Sequence, residues 1–235
     1  MIHHITAITE RVKENYEFYT KKLKMTFVKK TVNFDDPTTY HLYYGDERGT
    51  PGSLITFFYY KGKGTRGMGL AEGIIMEVPQ EIYDEVGPVI KDPDGLTLKL
   101  KPGRTYKTIG VITTAKKEFL EKWNIASENE YKEYNNKGIM GAGMIHHVAH
   151  QTPNVNTQRK IKKELREAGI NTSDIIERNY FKSIYFQEDN GCLQEIATNG
   201  PGFFIDEEKL ASKLVLPYWY ERYRKEIEKR LPKLE

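Results

Sequence analysis

Two histidine pairs and one glutamate are the residues of this sequence best suited to chemistry. The segment Ile2-His3-His4-Ile5-Thr6 returns as Ile145-His146-His147-Val148-Ala149, and Glu195 follows His147 by 48 residues. Two imidazoles and one carboxylate are the ligands that suit a non-haem Fe(II) ion with open positions for oxygen and substrate. Histidines packed in two ordinary strands are the alternative, but clustered ligand-type residues on a repeated unit favour a metal site.

The composition predicts a globular protein with one large or two small domains, because 235 residues can bury a substantial core. The net charge of +3 gives no strong basic field, so no nucleic-acid partner is predicted. There is no apolar run of membrane-spanning length and no charged-then-apolar leader, so we expect neither a membrane segment nor a signal peptide. The single cysteine, Cys192, rules out an internal disulfide and is typical of a reducing, cytoplasmic location.

The elements that must position these residues follow one plan twice, which is strand, helix and three strands. Hydrophobic periodicity and turn residues predict the first unit as a strand at 2–7, a helix at 12–23 and strands at 25–31, 39–44 and 54–59. The second unit has a strand at 144–149, a helix at 155–168 ended by Gly169, and strands at 173–176, 181–187 and 192–198. We interpret this as a duplicated β-α-β-β-β module.

The stretch between the two full modules predicts two further modules that are eroded. Strands are predicted at 73–78 and 96–100, then at 109–114 with a helix at 119–123, and the glycine-rich residues 138–143 form a linker. We therefore predict a first domain at 1–113, with modules at 1–60 and 61–104, and a second at 114–200, with its full module at 144–200. A helical tail at 201–235 is expected to pack on the body or on a partner chain, and a homo-oligomer is expected.

Several stretches of the chain resemble the vicinal-oxygen-chelate superfamily, which includes glyoxalase I, bleomycin-resistance proteins and type I extradiol dioxygenases. The resemblance is greater to the branch of ring-cleaving dioxygenases that act on hydroquinones. It is carried by Ile2-His3-His4-Ile5-Thr6-Ala7-Ile8, 28–37, Tyr40-His41-Leu42-Tyr43-Tyr44-Gly45-Asp46, 178–186, 195–198, 201–203 and the tail. It implies an α+β fold of repeated β-α-β-β-β modules in which the first and last modules pair around a metal, apart from the two eroded middle modules.

The resemblance also implies roles for individual residues. It makes the second histidine of each pair a metal ligand, so that the ligands are His4, His147 and Glu195, and it implies Fe(II), with Mn(II) or Zn(II) as alternatives. A surrounding layer that holds the ligands and manages protons would consist of His3, Thr6, His146, Arg178 and Tyr185. From the residues alone, Tyr185 is also compatible with a core aromatic, Arg178 with a surface ion pair, and His41 with an acid-base group, a substrate contact or a structural residue.

Strand geometry places His3 and His146 in conflict with these implied roles. Successive residues of a strand face opposite sides, so His3 should point away from a metal that His4 and Thr6 face. The same alternation separates His146 from His147. A role for His3 and His146 near the site therefore requires either a twist of the strands or an approach to the metal ligands from behind.

The implied ligand set favours one reaction over its alternatives. A glyoxalase-type isomerase needs a fourth protein ligand, and the corresponding positions hold Thr56 in the first module and Lys99 in the second. We therefore predict an Fe(II)-dependent dioxygenase that cleaves the ring of a hydroquinone-type dihydroxybenzene, with a small aromatic diol and O2 as its partners. A catechol-type extradiol dioxygenase, a glyoxalase-like metal isomerase and a metal-free aromatic-binding protein are the alternatives.

Overall fold

Strands account for most of the regular structure. The computed structural model describes residues 1–61, 67–115, 117–118, 128–133, 138–188 and 191–234. The strands are rich in β-branched and aromatic residues, which pack well on a pleated surface. In chain order they are β1 (Ile2–Thr9), β2 (Thr26–Val32), β3 (Tyr40–Gly45), β4 (Leu54–Tyr59), β5 (Ala71–Pro79), β6 (Val89–Lys91), β7 (Thr97–Gly103), β8 (Lys107–Thr113), β9 (Glu130–Tyr131), β10 (Ile145–Thr152), β11 (Ile176–Glu177), β12 (Lys182–Gln187) and β13 (Leu193–Thr198).

The helices are short and few among the described residues. Helix α3 begins after Asn154, whose side chain accepts hydrogen bonds from the backbone N–H groups of Asn156 and Thr157, and it ends before Gly169, where φ is +81°. The helices are α1 (Val12–Glu17, continued by a π-helical Phe18–Lys22), α2 (Gln80–Val86), α3 (Val155–Glu167) and α4 (Arg224–Arg230), with 3₁₀ turns at Phe203–Ile205 and Glu221–Tyr223. No described helix is long and apolar enough to span a bilayer.

The sheet joins the first and last modules at its centre. Strands β1 and β10 are antiparallel neighbours, and each is flanked by the last strand of its own module in parallel, β4 beside β1 and β13 beside β10. The strand order is β11-β12-β13-β10-β1-β4-β3-β2. Strands β5 to β9 form a second group around the antiparallel pair β5–β8, which joins the rest at Ile145 and Ala71. The predicted α+β architecture, with first and last modules paired and the middle ones set apart, is confirmed.

Some predicted elements differ in extent from the observed ones. The strand predicted at 173–176 is reduced to Ile176–Glu177, and the helical tail predicted at 201–235 contains only two 3₁₀ turns and the helix α4 among its described residues. Both segments lie beside larger elements, so their tertiary contacts override the local pattern. The predicted helix at 119–123 lies outside the described residues. The division into domains at 113 and 200 stays a prediction.

A buried lysine of β2 forms ion pairs with the C-terminal tail. Lys29 of β2 is fully buried, and its ammonium contacts the Asp206 carboxylate at 2.6 Å and the Glu207 carboxylate. The same ammonium lies 5.0 Å from the centre of the Tyr180 ring. Apolar residues of the tail also join the main core. The tail therefore holds β2 in place, together with the loop at 33–38 that follows it.

Candidate metal centre

The first strand carries a bulge at its histidine pair. In the β1–β10 ladder, Ile2 is opposite His150, whereas His4 is opposite Ala149. Two steps along β1 thus match one step along β10, which makes His3 an extra, unpaired residue. A bulge of this kind bends the strand and re-aims its side chains.

A second bulge lies on the partner strand in the equivalent place. Thr6 is opposite His147 and Ala7 is opposite Ile145, so His146 is the extra residue of β10. Each bulge brings the first histidine of a pair beside the second: the two Nδ1 atoms are 3.0 Å apart in His3–His4 and 2.8 Å apart in His146–His147. Strict alternation is therefore broken at both pairs, and the first histidine of each pair contacts the second from behind.

The bulges dictate which ring nitrogen of each second histidine is free. When Nδ1 of His4 carries the proton it donates to Nδ1 of His3, and His147 donates to His146 in the same way. The Nε2 lone pairs of His4 and His147 then face inward. A metal-binding histidine is commonly held in this manner, since the bond made by its other nitrogen sets its tautomer and orientation.

His4, His147 and Glu195 converge on one point in the interior. Nε2 of His147 lies 3.0 Å and Nε2 of His4 lies 3.5 Å from Oε2 of Glu195, and the two Nε2 atoms are 3.3 Å apart. All three residues are buried. The Ser183 hydroxyl donates to Oε1 of Glu195. Oε2 of Glu195 has no hydrogen bond within the described part of the chain.

The electrostatics favour neutral imidazoles beside a carboxylate. Burial, together with the Arg178 charge, lowers the pKa of His147 to about 3. Burial, together with His147, likewise lowers the pKa of His146 to about 3. Burial holds the pKa of His4 well below its usual value, although the Glu195 charge opposes that shift. Uncharged imidazole is the form that binds a metal.

These three donors fit a divalent metal ion. Ligand atoms about 2.1 Å from an ion and at right-angled to tetrahedral positions are separated by roughly 3.0–3.4 Å, close to the spacing found here. The unbonded Oε2 of Glu195 and the inward lone pairs of His4 and His147 supply one donor atom each. Within the described ranges, no other group of His, Cys, Asp or Glu side chains comes together in this way.

A cavity of about 310 Å³ opens beside this triad. Its walls are largely aromatic and include both histidines of the triad. The lining residues are His4, Asn33, Phe34, Asp35, His41, Tyr43, Phe58, Tyr60, His146, His147, Arg178, Phe181, Tyr185 and Leu193. His146 therefore reaches the cavity, whereas His3 lies behind His4, against the Phe181 ring at 5.0 Å between ring centres.

Tyr185 and Arg178 act as a pair at the cavity wall. Nε of Arg178 donates to the Tyr185 hydroxyl at 3.1 Å, and Nη1 donates to Oδ2 of Asp35 at 3.1 Å. The Tyr185 ring is 5.9 Å from the His147 ring. Burial raises the pKa of Tyr185, and the charge of Glu195 raises it further, so the phenol keeps its proton. With Arg178 donating to its oxygen, Tyr185 can turn its proton towards the cavity.

The position equivalent to a fourth ligand belongs to a chain of hydrogen bonds. The Thr56 hydroxyl contacts the Thr6 hydroxyl at 2.7 Å and Nε2 of His41 at 2.9 Å. The Tyr43 hydroxyl contacts Nδ1 of His41 at 2.9 Å. Burial lowers the pKa of His41 well below its usual value, so the chain is uncharged. Thr6 thus contacts Thr56 rather than the triad.

Sequence reasoning did not find Ser183, Tyr43 or Asp35. Ser183 and Tyr43 had a signal, because each lies two residues from a candidate on the same strand and hence on the same face as Tyr185 or His41. Asp35 had none, since its partner Arg178 is 143 residues away in the chain.

Paired β-α-β-β-β modules around a buried His-His-Glu group define a glyoxalase-like metal-site protein. The model of the Glyoxalase/Bleomycin resistance protein/Dioxygenase superfamily matches residues 1–196, and the chain belongs to that superfamily.

Relatives of similar extent carry more specific names. "Putative ring-cleaving dioxygenase MhqE" of Bacillus subtilis (strain 168) is 32% identical over 99% of this chain and 98% of the relative. "Chlorohydroquinone/hydroquinone 1,2-dioxygenase" of Sphingobium indicum is 24% identical over 96% of this chain and 94% of that protein. The first alignment runs over 299 positions whereas this chain has 235 residues, so the chain is the shorter of the two.

Solved structures agree with this assignment. The crystal structure of a "putative dioxygenase" from Bacillus subtilis superposes with a TM-score of 0.86 at 30% identity, over 100% of this chain and 97% of the other. Glyoxalase I from Zea mays superposes with a TM-score of 0.62 at 13% identity, over 84% and 92%. The second likeness shows that the fold is shared.

Proposed function

We propose that this protein is an Fe(II)-dependent dioxygenase that uses O2 to cleave the ring of a hydroquinone-type dihydroxybenzene. The observation that carries the proposal is the convergence of His4, His147 and Glu195 beside an aromatic cavity. Three protein ligands leave adjacent positions open, and two histidines with one carboxylate are the set associated with Fe(II) oxygenases.

The residue at the fourth position supports a dioxygenase over an isomerase. Thr56 pairs with Thr6 on β1 much as Glu195 pairs with Ala149 on β10. The Thr56 hydroxyl is already engaged by Thr6 and His41. A neutral hydroxyl with two partners is a poor ligand for a divalent ion, so the open positions stay available for substrate and oxygen.

The cavity suits a single substituted aromatic ring. Phe34, Phe58 and Phe181 provide apolar faces, and aromatic rings gain from offset or edge contacts with such walls. The volume of about 310 Å³ lies at the small end of ligand sites in general. The name of the Sphingobium indicum relative supports a hydroquinone as the ring.

When bound, Fe(II) would supply Lewis acidity for a substrate hydroxyl and electron transfer to oxygen. The chain's own residues do the rest. Tyr185 presents a phenol proton to an oxygen atom in the cavity, while Arg178 stabilises negative charge that develops there. His3 and His146 hold the rings of His4 and His147, and Ser183 holds Glu195. The aromatic walls exclude water from the reacting ring.

Oxygen uptake tests the proposal directly. The protein would be loaded anaerobically with Fe(II), mixed with methylhydroquinone and exposed to oxygen, with a His147→Ala variant as the control. We expect uptake and a ring-opened product from the parent protein and none from the variant.

The alternatives give different results in the same experiment. Uptake with catechol in place of methylhydroquinone would move the reaction to the catechol type. Bound iron without uptake on either diol would leave an isomerase as the better function. Failure to bind any metal would favour a metal-free aromatic-binding protein.

A further inference from the structure

We propose that Asp35 sets the charge selectivity of the cavity, so that the protein takes hydroquinones with uncharged ring substituents and rejects those that carry a carboxylate. This inference rests on the proposed function, since it concerns the substrate of the same site. It follows from how the charges around the cavity compensate one another.

Asp35 neutralises the cation of the cavity wall. Among the described lining residues, Arg178 is the one lysine or arginine side chain, and its Nη1 contacts Oδ2 of Asp35 at 3.1 Å. The Arg178 side chain is only 17% exposed, so its charge acts mainly inside the cavity. A carboxylate on the substrate would therefore meet a cation that already has a counter-charge.

At the metal end of the cavity, the charges also sum to zero when the substrate carries a single negative charge. A divalent ion held by His4, His147 and Glu195 keeps one net positive charge after Glu195 is counted. One deprotonated hydroxyl of a diol cancels that charge. Any further anionic group on the ring is then unpaired in a partly desolvated site, which costs free energy.

The loop that carries Asp35 is held in position from several sides. The Asp35 backbone N–H donates to Oδ1 of Asn33, and Nδ2 of Asn33 donates to the Tyr60 hydroxyl at 3.3 Å. The Tyr220 hydroxyl of the tail donates to the backbone carbonyl of Phe34. The Asp35 carboxylate is thus placed opposite Arg178 by its own loop and by the tail, and not by the ion pair alone.

A substitution at Asp35 is expected to leave the fold intact. The Asp35 side chain is 74% exposed, so replacing its carboxylate by an amide buries no unpaired group. Asp35→Asn keeps the shape and removes the charge. Arg178 then lacks its counter-ion and can accept an anionic substituent, while uncharged ligands are little affected.

Two ligands of nearly the same shape and different charge test this. Dissociation constants of 2,5-dihydroxybenzoate and 2,5-dihydroxybenzamide would be measured by anaerobic calorimetry on protein loaded with Zn(II), which does not turn the ligands over. The two ligands have nearly the same shape but also differ in hydrogen-bond donors, so the change in their ratio between parent and variant is the quantity compared. We expect the parent to prefer the amide. In Asp35→Asn that preference should fall by about fivefold at low salt, mainly through tighter benzoate binding, and by less at high salt.

Two control variants separate charge from position. Glu177→Gln makes the same charge change beside Arg178, but Glu177 pairs with Lys182 and does not line the cavity, so the preference should not change. Asp35→Glu retains the charge and should retain the preference. Equal weakening of both ligands in Asp35→Asn, or the same shift in Glu177→Gln, would overturn the inference.

The inference and the proposed function fail in different ways. A preference that shifts as expected in a protein without oxygen uptake would remove the proposed reaction and leave Asp35 as the charge filter. Uptake of oxygen with an unchanged preference in Asp35→Asn would do the reverse. If the parent bound neither ligand but took up oxygen with methylhydroquinone, the inference alone would be wrong.

Discussion

Strands β1 and β10 pair in the same way as strands β5 and β8. Both pairs are antiparallel and each has two bulges at equivalent places. In the second pair the register shifts between Ala71 and Gly73 and again between Ile75 and Met76, which makes Glu72 and Ile109 the extra residues. These two positions correspond to His3 and His146. The bulges are therefore a property of the shared fold and do not depend on the histidines.

The two histidine positions differ between the two pairs, whereas the carboxylate position does not. Ile112 of β8 pairs with Glu130 as Ala149 of β10 pairs with Glu195, and Ile75 pairs with Lys99 as Thr6 pairs with Thr56. The same register places Gly73 where the first pair has His4, and Gly110 where it has His147. Two glycines thus replace the two histidines, whereas a glutamate, Glu130, keeps the carboxylate position.

The space around the glycines shows that the difference extends beyond side-chain identity. A Cβ atom on Gly110 would lie 2.4 Å from the carbonyl oxygen of Glu128, and one on Gly73 would lie 2.6 Å from Cδ1 of Ile112. The middle pair has no room for imidazoles. Its face is also half exposed and neutralised, since Lys99 pairs with Glu130. A metal centre requires both the donors and a cup that admits them.

Removal of one histidine ligand should have the largest effect on metal affinity, because the β5–β8 pair has no histidine at either ligand position. His147→Ala should weaken metal affinity by about three-hundredfold, since one of three ligands supplies about a third of a binding free energy on the order of 10 kcal/mol. Metal content after dialysis against a competing chelator measures this. His150→Gln, which changes a buried histidine that faces Gln194, should retain the metal. Metal retention in His147→Ala would contradict the assignment of the ligands.

Loss of the Tyr185 hydroxyl should reduce the rate without loss of metal. Tyr185→Phe removes the proton that Arg178 orients, so oxygen uptake with methylhydroquinone should fall by about a hundredfold. Tyr43 is its counterpart in the first module, because Tyr43 is opposite Thr56 as Tyr185 is opposite Glu195. The Tyr43→Phe variant should lose less than about tenfold, since the Tyr43 hydroxyl is engaged by His41. Equal losses would show that the two modules contribute alike.

The bulge residues sharpen the comparison further. His3→Ala and His146→Ala should each weaken metal affinity by about ten- to a hundredfold, because the ligand rings lose the acceptors that orient them. Glu72→Ala and Ile109→Ala change the equivalent bulges of the middle pair and should leave the affinity unchanged. A titration with a chromophoric metal competitor distinguishes the two pairs of variants. An effect of similar size in all four would mean that bulge geometry, and not the imidazole, matters.

Acid should destabilise the metal-free protein through the first and last modules, which contain all six histidines. Burial lowers the pKa of His150 to about 4 from 6.5, so between those values the unfolded state binds more protons. Through this one histidine, the free energy of unfolding should then fall by about 1.4 kcal/mol for each pH unit between 6.5 and about 4. Urea unfolding of His150→Gln at several pH values should show a shallower decline. An identical slope would place the titration elsewhere.

A carboxylate in the middle pair should have the smallest effect. Lys99→Glu adds a carboxylate beside Glu130 at the position equivalent to Thr56, but Gly73 and Gly110 supply no imidazoles. The variant should bind no additional metal, and its stability should change by about 1 kcal/mol or less, since the lost ion pair with Glu130 is at the surface. Measurement of metal stoichiometry and of the unfolding midpoint checks both statements. A second bound metal would show that donors alone make the site.

The repeat, its module plan and the three residues that converge at the centre could be predicted from the sequence, because ligand types and strand patterns are local and recur. The bulges could not, since a bulge is a mismatch between two strands and neither strand shows it by itself. For this reason alternation along one strand gave the wrong direction for His3 and His146. The hydrogen-bonded chain from Tyr43 to Thr6 also depends on three strands meeting.

The sequence by itself determined the family, the paired modules and the donor set of His4, His147 and Glu195, since these depend on which residues stand in each repeat. Only the tertiary structure decided how the donors are held, which charges meet at the cavity and where no metal fits. Arg178 and Asp35 are in contact although they lie 143 residues apart in the chain. A Cβ atom added at Gly110 would clash with the carbonyl oxygen of Glu128, which belongs to another segment. Contacts of this kind depend on distances between segments that are far apart in the chain, so no pattern of neighbouring residues predicts them.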